Sequence, residues 1–220
     1  DAMLEGGYEK DAITTIYGPA GAGKTVLCLL AAMTMARNNK KVIYVDTEGG
    51  VAVERIRQIT KHFERALQHI FFLRPATFEE QKKALERLKD FSNEKIGLII
   101  VDTISMLYRL EMGKAAGADT ASAVNRIMAQ QFSFLSEIAR KKNIPVLLTN
   151  QVYADFRGDS GSVHPVGGDI VKYGSKCLIE LKKHHGNMRE ILLRKHRSLP
   201  EGKNAFFRIV EKGVEEVKGK

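Results

Sequence analysis

A chain of 220 residues with 44% hydrophobic content and a formal charge of +9 can bury one substantial core, which points to a single domain spanning residues 1–220. No apolar run approaches the roughly 18 residues that span a bilayer and no signal-peptide pattern opens the chain, so a cytoplasmic protein without a membrane partner is expected. Two cysteines, Cys28 and Cys177, are too few for a disulfide framework or a cysteine metal site.

The chain opens at Asp1 rather than methionine, so a few upstream residues are expected. Ala12–Tyr17 reads as a short buried strand followed by a glycine-rich turn. A helix is predicted from Lys24 to about Asn38, apolar almost all round and therefore buried. Val42–Asp46 is the next strand, and a helix carrying Val53, Ile56, Ile59 and Phe63 follows. Ile70–Leu73 is a third strand. Thr77 with Glu80 three residues on is a capping-box signature, opening a helix to about Phe91. Leu98–Asp102 is an apolar run of the kind an interior parallel strand shows.

From about Thr120 to Asn143, apolar residues at Val124, Ile127, Met128, Leu135 and Ile138 keep the 3.6 period of one buried helical face. Pro145–Asn150 is a fifth strand. Val152–Asp169, with four glycines between Arg157 and Gly168, has the composition of a mobile loop. Cys177–Lys183, Arg189–Arg194 and Ala205–Val210 read as short strands joined by "HHGN" and "LPEG" turns. Helix-linked strands first and hairpins last predict an α/β core, residues 1–151. A loop at 152–168 and an antiparallel extension at 169–220 complete the chain.

The positive charge is concentrated late. Residues 151–220 hold 14 Lys/Arg against 9 Asp/Glu, with four of the six histidines. A basic end of this kind suggests a polyanionic partner; a basic surface with no partner is the plainer alternative.

"GPAGAGKT", Gly18 to Thr25, matches G-x-x-x-x-G-K-[ST] between a predicted strand and a predicted helix. Its glycines (Gly18, Gly21, Gly23) let backbone N–H groups around Ala22 converge on phosphates, and the helix N-terminus beyond Thr25 and Val26 adds its positive end. Lys24 would reach the β- and γ-phosphates of ATP, and the Thr25 hydroxyl would ligate Mg²⁺. Asp102 supplies a carboxylate at a strand end, the second magnesium-side group; a turn-starting aspartate is the alternative. In "VIYVDTEGG", Asp46 and Glu48 sit at another strand end. Glu48 could activate the attacking water or serve as a capping acid, while Asp46 is read as orienting the strand end. Gln151, in "TNQV", could sense the γ-phosphate and pass its state to the loop that follows, or be an ordinary loop-start residue.

Taken together, these segments resemble the RecA-type recombinase ATPase core in its archaeal and eukaryotic branch. The matches are "LEGGYEKDAITTIYGPAGAGKT", "YVDTEGG" with "ERI", "LIIVDTISMLYR", "IPVLLTNQV", "PVGGDI", "LKKHHGN", "LPEG" and "IVEKG". The resemblance implies a P-loop ATPase core with a mostly parallel twisted sheet flanked by helices and a C-terminal antiparallel extension. It implies ATP and Mg²⁺ as cofactors, Glu48 as catalytic glutamate, Arg55 packed on adenine, and Gln151 coupling ATP state to a DNA loop. Arg109 and Lys114 match basic positions of a first DNA loop. Arg157 with the backbone of Gly167 and Gly168 would serve a second, where Phe156 either stacks on a base or anchors the loop.

Three departures matter. The core is expected to lack the N-terminal helical domain and polymerisation linker of the full recombinases, and Leu73 and Pro75 stand where polymerising members have small residues. Both imply the short archaeal paralogues and a monomer or small oligomer, with the main recombinase as a possible partner. The third is "RKHRSLPEG", where Arg194 and Lys195 begin a basic cluster. It would act on a neighbour's γ-phosphate in trans, lie on DNA, or remain a solvated charge run. The expected function is an ATP- and DNA-binding accessory of homologous recombination, favouring single-stranded DNA, with weak ATPase activity. The alternative is the catalytic core of a filament-forming strand-exchange recombinase.

Overall fold

In the computed structural model, which describes residues 3–88, 95–154 and 163–217, the apolar run Ile13–Tyr17 is strand β1, buried along its whole length. Helix α1 (Lys24–Arg37) and strand β2 (Lys41–Asp46) follow. Next come α2 (Val53–Ile59), α3 (Phe63–Leu67), β3 (Ile70–Leu73), α4 (Phe78–Glu86) and β4 (Ile96–Asp102). Helices α5 (Met106–Lys114) and α6 (Ala118–Lys142) lead to β5 (Val146–Asn150). A ribbon of β6 (Val152–Ala154) and β7 (Val163–Pro165) precedes α7 (Gly168–Gly174). Strands β8 (Cys177–Lys183), β9 (Met188–Lys195), β10 (Asn204–Val210) and β11 (Gly213–Val217) complete the fold.

Nine of these strands form one sheet in the order β11-β10-β9-β8-β1-β5-β4-β2-β3. From β3 through β8 neighbours run parallel; β9, β10 and β11 are antiparallel. Alternation along each strand divides the core between the two faces, as the two-residue strand period requires. Val42, Tyr44, Leu98, Ile100 and Leu147 pack under α1, α2 and α3. Ile43, Val45, Ile99, Val101 and Leu148 pack under α4, α5, α6 and α7. The RecA-type architecture expected from the sequence is therefore present, and among the described residues no helix is long and apolar enough to cross a membrane.

Local chemistry explains several elements. Thr77 accepts a hydrogen bond from the Glu80 N–H at 3.1 Å, and the Glu80 carboxylate reaches back to the Ala76 N–H at 2.8 Å. Capping of this kind contributes about 1 kcal/mol. Helix α1 is apolar almost all round because it is covered on two sides, with Thr34 and Arg37 left exposed. Cys28, Leu29, Ala32 and Met33 meet the sheet, while a Cβ at Gly213 of β11 would lie 2.9 Å from Leu30.

Three sequence expectations change, and a fourth runs out of the described residues. The helix drawn through Val53, Ile56, Ile59 and Phe63 is two helices, because Thr60 is extended (φ −144°, ψ 133°) and its hydroxyl accepts from the His62 N–H. The helix from Thr77 is helical through Glu86, and Phe91 lies outside the described residues. The segment at 152–168 is not all loop: its ends pair as β6 and β7, and Gly168 begins α7. The extension is not all hairpin either. Strand β8 pairs parallel with β1, so it belongs to the core, and antiparallel pairing starts only at β9.

Candidate active site

Because β1, β2, β4 and β5 are parallel, their C-terminal ends open on one edge of the sheet, where α/β folds place ligands. The phosphate loop follows β1 there, Glu48 follows β2, Asp102 ends β4 and Gln151 follows β5. A cleft of about 470 Å³ brings them together, lined by Gly18, Gly21, Gly23, Lys24, Thr25 and Val26 on one side and by Glu48, Asp102, Thr103, Arg109 and Gln151 on the other. Ala22 is buried behind the loop, its N–H bonded to the Pro19 carbonyl. A wider groove of about 800 Å³ between α6 and α7 is lined by Phe132, Arg140, Tyr173 and Lys176 among others; none of the phosphate-site residues lines it.

The loop needs glycine for two separate reasons. Gly18 passes so close to β8 that a Cβ there would meet the Leu181 carbonyl oxygen at 2.4 Å. Gly23, in the left-handed region at φ +105°, caps the start of α1, a conformation L side chains avoid. Lys24 is buried and donates to the Gly18 and Pro19 carbonyls at 2.8 and 3.0 Å. Burial pulls its pKa down, while the Glu48 and Asp102 carboxylates favour its charged form.

Asp102 is 4% exposed. Burial pushes its carboxyl pKa up, and the hydrogen bonds from Thr149 and Tyr44, with the Thr25 hydroxyl close by, oppose that rise. The Thr25 hydroxyl beside this carboxylate makes an oxygen donor pair. Among the described residues no group of three His, Cys, Asp or Glu could cage a metal alone. Magnesium at nucleotide sites uses one or two carboxylates plus substrate phosphates, so the donor set fits that ion.

Asp46 accepts from the Gly50 and Val51 N–H groups at 3.1 and 3.3 Å. It shapes the turn after β2, as expected, and leaves Glu48 to face the cleft. The Thr47 hydroxyl donates to the Thr103 carbonyl and accepts the Thr103 N–H, clipping the ends of β2 and β4 together. Glu48 Oε1 then accepts from Gln151 Nε2 at 2.6 Å and from Thr103 Oγ1 at 3.3 Å. Gln151 in turn accepts a hydrogen bond from Arg109 on α5, and its N–H is held by Ser105. A continuous polar row thus runs from Glu48 through Gln151 to Arg109.

Other expected residues lie apart from the cleft lining. Arg55 donates to the carbonyls of Val210 and Glu211, gripping the β10–β11 turn. Lys114 pairs with Glu111 at the exposed end of α5. Gly167 and Gly168 start α7, one residue beyond Val166, whose N–H bonds to the Gln151 carbonyl. Arg157 and Phe156 lie outside the described residues. The basic cluster is not a free charge run in this chain. Arg194 pairs with buried Glu180 at 2.6 Å, Lys195 donates to the Lys172 and Ser175 carbonyls at the end of α7, and Arg197 holds Glu9 and Asp11.

Sequence reasoning did not single out Thr103, Ser105, Thr149 or Ile209. The run of hydroxyls after Asp102 in "DTIS" was a local signal. Ile209 lines the cleft from a strand far along the chain, and nothing near it in sequence announces that.

The fold and this cleft together define a RecA-type core, and the chain belongs to the Rad51 family, whose family model matches residues 1–217. Among curated relatives it is 43% identical over 216 residues to the DNA repair and recombination protein RadB of Methanococcus maripaludis strain C7, covering 98% of this chain and 96% of that one. It is 38% identical over 220 residues to the RadB of Methanobrevibacter smithii, covering 97% and 92%. A crystal structure of the RadB recombinase superposes with a TM-score of 0.83 at 36% identity, covering 99% of this chain and 96% of that one.

Proposed function

We propose that this chain is an ATP- and DNA-binding accessory protein of homologous recombination and repair, with weak Mg²⁺-dependent ATPase activity. The observation that carries the reading is the bonded row from Glu48 through Gln151 to Arg109. It joins Glu48, the group proposed to activate water, to a helix where the family resemblance puts the first DNA loop. Gln151 and Thr103 both donate to Glu48 Oε1, which fixes the orientation of the carboxylate, and neither bond engages Oε2, the oxygen proposed to meet the attacking water. Phosphate would sit against the loop N–H groups and Lys24. Magnesium, held between Thr25 and Asp102, would neutralise charge on the β- and γ-phosphate oxygens. Arg55, at the β10–β11 turn, is the residue proposed to pack on adenine. Arg109, Lys114 and Arg157, with the backbone at Gly167 and Gly168, would contact DNA.

A salt series tests the DNA reading. Affinity for single-stranded DNA should fall steeply with log salt, with a slope of about −0.7 per phosphate contact. Arg109→Ala should flatten that slope by about one contact. An unchanged slope and affinity in this variant would remove Arg109 from the interface. Sedimentation with ATP and single-stranded DNA decides between a monomer or small oligomer, as proposed, and the long filaments of a strand-exchange core.

Arg194 and Lys195 are further proposed to meet a neighbouring subunit's γ-phosphate, with the main recombinase as a candidate neighbour. Lys195→Ala should then alter how turnover depends on protein concentration. A change in DNA affinity alone would assign the cluster to DNA instead.

A further inference from the structure

We infer that Tyr44 is a positioning residue for the magnesium-side carboxylate, acting through its buried hydroxyl on Asp102. The inference rests on the nucleotide reading above and adds to it a residue from the sheet interior.

The geometry starts from strand register. Tyr44 lies opposite Ile100 of β4 and Phe72 of β3. Asp102, two residues beyond Ile100, therefore projects to the same face as Tyr44. On that face Tyr44 is fully buried, its ring 5.4 Å from the Phe72 ring, in the core under α1. The packing would be satisfied by phenylalanine. Only the hydroxyl asks for a partner, because a buried donor left unpaired is costly. That partner is Asp102: Tyr44 donates to Oδ2 at 2.7 Å. From the opposite flank, on β5, Thr149 donates to Oδ1 at 2.5 Å.

One hydroxyl thus meets each carboxylate oxygen, and each comes from a different neighbouring strand. Two donors from opposite sides fix both the position and the rotation of the carboxyl plane. The remaining lone pairs are left for the cleft side, where Thr25 lies. Each bond also favours the charged form of a carboxylate that burial disfavours. Partners that orient a metal-side ligand in this way commonly change metal affinity 10- to 100-fold when removed.

The test is a magnesium titration of nucleotide binding, followed with a fluorescent ADP analogue on the purified full chain. In Tyr44→Phe the half-saturating Mg²⁺ concentration should rise by about tenfold or more, while nucleotide affinity in EDTA stays at the wild-type value. A folded Tyr44→Phe variant with the wild-type magnesium midpoint overturns the inference, and a lowered melting temperature alone would assign the phenol to stability. Should Tyr44→Phe fail to fold, Thr149→Val, which removes the opposite donor, is judged by the same midpoint. If the wild-type chain itself shows no magnesium-dependent nucleotide binding, the nucleotide reading falls, and this inference with it.

Discussion

Replacing Lys24 with alanine should abolish detectable ATP turnover and weaken ATP binding by tenfold to beyond 100-fold, with the fold intact. The size follows from charge-assisted hydrogen bonds, worth about 1.5–3 kcal/mol each, and Lys24 is the cation closing the phosphate loop. Its ammonium already lies on the Gly18 and Pro19 carbonyls, so the side chain is poised at the loop before phosphate arrives. Burial works against its charge, and a phosphate anion would restore that balance. Fluorescent-nucleotide titration and a phosphate-release assay on a variant with native melting behaviour measure both effects. Wild-type affinity and turnover in that variant would remove the loop from the chemistry.

Glu48→Gln should separate binding from hydrolysis. The amide keeps an acceptor oxygen for Gln151 and Thr103 and nearly the same shape, but it cannot take a proton. Loss of general-base assistance is expected to lower turnover by roughly 100- to 10,000-fold, with nucleotide affinity almost unchanged. Single-turnover hydrolysis beside equilibrium binding gives the answer. Equal loss in both would mean that Glu48 supports the cleft rather than the water.

These two residues were also the most legible in the sequence. The phosphate loop is eight consecutive residues whose glycines, lysine and threonine act through their own backbone, so a local pattern suffices. Glu48 needed a wider context, since an acid after a strand has several possible duties; the carbonyl and N–H bonds made by Asp46 and Thr47 show how the turn shares them out. What escaped was long-range. The fate of Arg197 depends on Glu9, 188 residues earlier. The parallel pairing of β8 with β1 cannot be read from a strand that is followed by hairpins. Strand β11, "GVEEV", is too polar to announce itself and forms because β10 offers an edge. Helix α5 mixes apolar and charged residues without a clean period, and its place is set by Thr103 and Ser105 at its start.

The central position of β1 has a consequence for how the chain is made. Both of its sheet neighbours come late: β5 supplies Val146–Asn150 and β8 supplies Cys177–Lys183. During synthesis the first strand, five buried residues in the finished molecule, leaves the ribosome more than a hundred residues before either partner exists. Its backbone donors and acceptors must wait for the second half of the message to be read. The lead-in waits longer still, because Glu9 and Asp11 are tied by Arg197. Such non-local pairing slows folding and leaves apolar strand edges open to misassociation. The phosphate loop, which follows β1 directly and precedes both of that strand's neighbours by more than a hundred residues, is therefore among the last parts of the molecule to acquire its finished surroundings.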